Sequence, residues 1–240
     1  MLARLGLPFT CQSPDIDETP LPAEAPAQLS LRLAREKAAR ISQLNPGALV
    51  IGSDQVATSG QDAIGKPGDH AGAQKQLRRL SGQDIDFHSA LCVTDGQEFL
   101  CSDIVTNCRF RALSDEEIEH YLLQEKPYDT AGSAKAESLG IALMESMRSD
   151  DPTAIIGLPL IELCTMLRHF GLNPLRPTLL LPSFRLIRHA PSRPFAPDPR
   201  RLKREPDQRL ATRRRQGFDA RTDRLYCRER QNRPRLPETG

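Results

Sequence analysis

The sequence predicts an α/β domain followed by a different kind of polymer. Two observations carry that reading: strand-like and helix-like segments alternate over residues 1–175, and charge is divided unevenly along the 240 residues. Residues 1–175 carry 15 Lys and Arg against 24 Asp and Glu, whereas residues 176–240 carry 18 against 7. A chain of about 175 residues buries most of the surface it exposes when unfolded, so the first part is expected to fold alone. The second part holds Pro177, Pro182, Pro191, Pro194, Pro197, Pro199 and Pro206, then Arg213, Arg214 and Arg215, with no sustained apolar period. Such a composition buries too little surface to offset chain entropy. Residues 176–240 are therefore expected to form a disordered or weakly structured basic tail.

Leu2 and Leu5 before Gly6 read as the end of a helix, because glycine favours the position just past a helix C-terminus. A short strand over 9–12 leads into the polar segment 13–19, and a helix over 27–44 follows. Ala34, Ala38 and Ile41 mark its apolar face, and Lys37 falls at the same spacing. Lys37 has two readings: a side chain snorkelling at the margin of the stripe, or an ammonium aimed at a phosphate or at Glu18. The run Ala48, Leu49, Val50, Ile51 lacks polar alternation and suits a strand buried on both faces, with Gly52 letting the backbone leave it closely packed. Beyond it a helix is expected over 70–80 and strands over 84–94 and 98–111. Ser114 and Glu117 form a capping box opening a helix to residue 124. A strand over 141–144 and a closing helix to residue 170 complete the order.

Asp54 is the most informative side chain, since it follows an apolar strand at the carboxyl end where α/β sheets collect ligands. An aspartate there also serves as a turn former or helix cap. Ten residues on, Lys66 in Ile64-Gly65-Lys66-Pro67 offers a cation that could face the same site, and the pair suggests metal-assisted phosphate chemistry. A P-loop ATPase is excluded. Gly60 to Lys66 matches the glycine and lysine spacing, but Pro67 supplies neither the hydroxyl for magnesium nor an N–H for phosphate. The six cysteines include no C-x-x-C pair and are expected to be free thiols, mostly buried, in a reducing cytosol. No signal-type segment opens the chain, and Leu179–Leu181 is too short to span a bilayer, so a cytoplasmic protein with no membrane partner is expected.

Six motifs occur in order: Asp15-Ile16-Asp17-Glu18-Thr19; Leu33-Ala34 with Lys37-Ala38; Gly52-Ser53-Asp54-Gln55-Val56; Gly65-Lys66-Pro67; Ala131-Gly132-Ser133 with Lys135 and Glu137; and Ile156-Gly157-Leu158-Pro159-Leu160. Together they resemble the Maf family of nucleotide pyrophosphatases over residues 1–175. Gln55 and the Ala131–Glu137 motif look like the 7-methyl-GTP branch rather than the dTTP/UTP branch. The resemblance implies an inosine-triphosphatase-like fold, a mixed twisted sheet flanked by helices. It also implies hydrolysis of a nucleoside triphosphate between the α and β phosphates with a divalent cation, magnesium or manganese, and a homodimer. By the same resemblance Asp54 is the proton acceptor, Glu18 and Asp54 hold the metal or its water shell, and Glu18, Lys37 and Lys66 meet the phosphates, the lysines as point charges. Gln55 and Glu137 would select the base, for a carboxylate accepts from guanine N–H groups and attracts a purine made cationic by methylation. The alternative for Glu137 is a surface pair with Lys135.

In two places the sequence departs from the family pattern. The family's opening strand and Ser-x-x-Arg loop have no counterpart ahead of the helix end at Leu2, so a strand of the sheet is expected to lack a neighbour. A catalytically impaired, nucleotide-binding Maf-like protein is therefore the alternative to an enzyme. The basic tail has no family counterpart either. Its arginines could bind RNA, but it lacks the regular aromatics of a stacking platform, and an unselected tail is preferred to a nucleic-acid module.

Overall fold

The computed structural model describes residues 1–60, 62–176 and 186–189. Among the described residues there are seven strands: β1 (Thr10–Gln12), β2 (Leu49–Ser59), β3 (Asp62–Ile64), β4 (Asp84–Thr94), β5 (Phe99–Phe110), β6 (Met144–Ser149) and β7 (Leu186–His189). They form one mixed sheet in the order β1-β7-β2-β4-β5-β6, with β3 paired to β2. β1, β7 and β2 run parallel, and β2, β4, β5 and β6 are successively antiparallel. Among the described residues four α-helices flank the sheet: α1 (Pro26–Leu44), α2 (His70–Leu80), α3 (Asp115–Glu125) and α4 (Leu160–His169). The mixed α/β architecture is the one expected.

Helix α1 starts with Pro26 in the first turn, where a missing N–H costs nothing. It buries Leu29, Leu33, Ala34, Lys37, Ala38 and Ile41 along one stripe. Its contact with β2 depends on Gly52, because a Cβ there would come within 2.2 Å of the Ala34 carbonyl oxygen and 2.8 Å of the Ala38 nitrogen. On this face Ala34, Ala38 and Ile41 pack with Val50, Ala90, Cys92 and Ile187. Strand side chains alternate, so Leu49, Ile51, Leu91 and Leu186 pack instead with Leu163 and Leu167 of α4. A further cluster gathers Phe87 and Phe110 with Leu77 of α2 and Leu122 of α3. Ser114 caps α3 reciprocally with Glu117, as its capping box requires.

The structure corrects four expectations. Leu186–His189, inside the segment read as a weakly structured tail, is a strand lying between β1 and β2. Four residues among prolines and arginines present no apolar period, so a short central strand leaves little trace in sequence. The remainder of that expectation falls on residues 177–185 and 190–240, outside the described residues. Where a strand of the sheet is expected to lack a neighbour, β7 pairs with β2 over residues 49–51. Residues 139–143 form a 3₁₀ helix, and the strand expected over 141–144 begins only at Met144. Asp54 does not follow its strand but lies within β2, opposite Ala90 of β4, since Gly52 serves close packing and the strand continues through it.

Cys11, Cys92, Cys101, Cys108 and Cys164 are free thiols; Cys92 and Cys108 are buried and Cys11 and Cys101 exposed. Among the described residues no helix is long and apolar enough to cross a membrane.

Candidate active site

The site forms where the sheet is interrupted. Along one edge β2 pairs with β4 over residues 50–58. Along the other, β7 covers residues 49–51 and β3 covers 57–59. Residues 52–56 thus have no strand partner on that edge among the described residues, and Asp54 sits at the centre of the interval. A cleft of about 680 Å³ opens there, a size that suits a nucleotide. Its lining includes Glu18, Lys37, Asp54, Gln55, Lys66, Asp129 and Arg188.

Lys37 comes from the buried stripe of α1 and is 5% exposed. Its ammonium donates to Asp54 Oδ1 at 2.7 Å and contacts Glu18 Oε1 at 2.8 Å. This resolves the two readings of Lys37: it is no snorkelling side chain but a buried cation shared by two carboxylates. Burial alone would lower the Lys37 pKa; Asp54 and Glu18 together outweigh it, and the pKa is raised. Asp54 is also raised, because its burial, with Glu18 nearby, exceeds the opposing attraction of Lys37 and Lys66. The result is a carboxylate that takes up a proton more readily than an exposed aspartate, beside an ammonium that keeps its charge. Such a pair suits general-base chemistry.

Glu18 is held by the loop ahead of α1. Asp15 adopts φ 48°, which a short polar side chain tolerates better than most, and Asp17 accepts the Thr19 N–H at 2.9 Å. Arg32 of α1 clamps this loop: Nε and Nη2 donate to Glu24 at 2.6 and 2.9 Å, and Nη2 also donates to the Thr19 carbonyl at 3.1 Å. The guanidinium holds the Glu24 pKa down at about 2. Sequence reasoning overlooked Arg32; an acid at Glu24, two residues before the helix, was the available signal.

Lys66 is exposed on the turn after β3 and faces the cleft. The carbonyl of Gly65 accepts from Gln76 Nε2 at 2.9 Å, tying that turn to α2. Gln55 lines the cleft as well, but its amide nitrogen is engaged with Ser89 Oγ and the carbonyls of Ala154 and Ile155. Asp151, which the sequence did not single out, is 2% exposed. It accepts from Thr153 and from the Ile161 N–H of α4, fixing the Ile156–Leu160 motif against the cleft.

Glu137 is not brought to the group: it is exposed and does not line the cleft. Its neighbour Lys135 donates to the Glu125 carbonyl at 2.8 Å. Tyr121 anchors the same segment by donating to the Ser133 carbonyl and accepting from the Lys135 N–H, and burial pushes its pKa up to about 12. Among the described residues there is no cluster of three or more His, Cys, Asp or Glu that could form an all-protein metal cage. Glu18 and Asp54, which converge on one ammonium, are two carboxylates that could hold a magnesium ion whose shell water and phosphate complete.

Fold and cleft define a class first: an α/β protein whose interrupted sheet sets a buried carboxylate and ammonium beside a nucleotide-sized opening. The profile of the family described as "Maf-like protein" matches residues 1–170. The chain belongs to that family. It is 65% identical over 176 residues to a 7-methyl-GTP pyrophosphatase of Bordetella avium, covering 73% of this chain and 89% of that one. Identity to proteins of the same name is 57% over 173 residues in Cupriavidus metallidurans, covering 71% and 87%, and 54% over 176 residues in Burkholderia pseudomallei, covering 71% and 82%.

Proposed function

We propose that this protein is a nucleoside triphosphate pyrophosphatase acting on 7-methyl-GTP: water attacks, the bond between the α and β phosphates breaks, and the monophosphate and pyrophosphate leave. The observation that carries the reading is the Lys37 ammonium shared by Asp54 and Glu18 in a cleft of nucleotide size. The identity of 54–65% to relatives of that name supports the substrate.

In this mechanism Asp54 takes the proton of the attacking water, and its raised pKa suits the task. Lys37 fixes one oxygen of Asp54 and, with Lys66, offers positive charge to the phosphates. A magnesium or manganese ion bound at Glu18 and Asp54 would neutralise charge developing on the phosphate oxygens. Gln55 lines the cleft, and Glu137 lies on the segment that continues from Asp129 and Ala131, which also line it; both are proposed to select the base. The same reading takes the enzyme to be a cytoplasmic homodimer.

The test is product analysis. The full chain, given 7-methyl-GTP, GTP, dTTP and UTP in turn with magnesium or manganese, should release pyrophosphate fastest from 7-methyl-GTP. Release of inorganic phosphate, or no release from any of the four, would contradict the proposal.

A further inference from the structure

We propose that Leu186–His189, distant in sequence from every site motif, is a working part of the cleft: it pairs β1 to β2 and brings in Arg188 as the guanidinium that binds the phosphates. The inference rests on the nucleotide reading above and deepens it.

The placement is specific. Leu186, Ile187 and Arg188 pair with Leu49, Val50 and Ile51 of β2, while Ile187 and Arg188 pair with Thr10 and Cys11 of β1. Alternation sends Leu186, 5% exposed, into the core beside α4, and Ile187, 3% exposed, into the core beside α1. These two side chains anchor the strand from both faces. Arg188 is then carried to its carboxyl end, level with Ile51 and three residues short of the Asp54 position, where it lines the cleft.

Arg188 is also incompletely satisfied there. Its Nε is buried and has no hydrogen-bond partner among the described residues, and burial lowers its pKa against the smaller opposing effect of Cys11. A guanidinium with a buried N–H left unbonded is costly, and a phosphate offers the group two oxygens in a matching plane. The charge of the cleft points the same way. Lys37 is already shared by two carboxylates, and Asp15 and Asp129 add two more acids to the lining. A polyphosphate entering this acidic opening needs a cation that is not yet paired, and among the described residues Arg188 is one.

The experiment measures binding of inorganic pyrophosphate by calorimetry, the thermal transition and kcat/KM for 7-methyl-GTP in full-length Arg188→Ala, Arg188→Lys and Ile187→Asp proteins. Arg188→Ala should weaken pyrophosphate binding about 10- to 100-fold, the loss of one charge-assisted hydrogen-bonding group. Its thermal transition should stay or rise, because no partner of Nε among the described residues is removed. Arg188→Lys should restore part of the binding, and Ile187→Asp should lower both transition and binding by expelling the strand. Wild-type pyrophosphate affinity in Arg188→Ala, or a lowered transition with affinity intact, overturns the inference and makes Arg188 structural. The two readings fail separately. Arg188-dependent pyrophosphate binding without turnover of any nucleotide would sink the pyrophosphatase and leave this inference standing, whereas wild-type turnover by Arg188→Ala would do the reverse.

Discussion

Lys37 Nζ lies 2.7 Å from Asp54 Oδ1, a contact that joins the buried face of α1 to the interval of β2 between its pairings with β7 and β3. It exists because Gly52 lets the helix rest directly on the strand two residues before Asp54. Helix packing and site chemistry are thus one arrangement, and most of the consequences below come from that coupling.

The first consequence is a pH dependence. Burial raises the Asp54 pKa, so in the metal-free protein its carboxyl should titrate above the ordinary aspartate range of about 3.9. Lys37 opposes the burial effect. Lys37→Met should therefore move that titration to still higher pH, measurable by carboxyl NMR without added metal. The stability sign is opposite to that of a paired surface acid: the folded state binds this proton more tightly, so ionisation of Asp54 costs stability as pH rises through its folded pKa. A titration unmoved in Lys37→Met would mean that Lys37 does not hold Asp54 ionised.

Gly52→Ala should destabilise the fold by about 1–3 kcal/mol or more, since its methyl meets backbone atoms that cannot swing away. The thermal transition should drop, and turnover should drop with it because α1 carries Lys37. A variant with a wild-type transition would show that the helix can withdraw from β2 without strain.

Base selection is tested at Glu137. Glu137→Gln should reduce the ratio of kcat/KM for 7-methyl-GTP over GTP, because a carboxylate attracts the cationic purine more than an amide does. Equal slowing of both substrates would assign Glu137 to architecture and leave the choice of base to Gln55 and other cleft residues.

A chain ending after Arg176 should melt at lower temperature than the full chain. It loses the strand pairings of β7 and the burial of Leu186 and Ile187, each apolar side chain contributing about 1.5–3 kcal/mol. Circular dichroism melting of the two proteins gives the answer, and coincident transitions would show that β7 adds nothing to the fold.

Much of this architecture was legible because its signals are local. The run from Ala48 to Ile51 announces a central strand, Ser114 and Glu117 announce α3, and the spacing of Ala34, Ala38 and Ile41 announces the buried face that carries Lys37. Ordered motifs then led to Asp54, Glu18 and Lys66, which the fold brings to one cleft. What escaped depends on long-range pairing. A four-residue strand reads as tail until its partners are known, and the same blindness hid Arg188. Asp54 looked like the residue after a strand because Gly52 reads equally well as an exit or as a close contact, and only the position of α1 decides between them.

The most direct measurement is pyrophosphate release from 7-methyl-GTP by the full-length wild type and by Asp54→Asn, with magnesium or manganese present and the thermal transition of both recorded. Removing the base while changing little volume should slow release about 10²- to 10⁴-fold with the fold retained. Wild-type turnover by Asp54→Asn would contradict the assignment of Asp54 as proton acceptor.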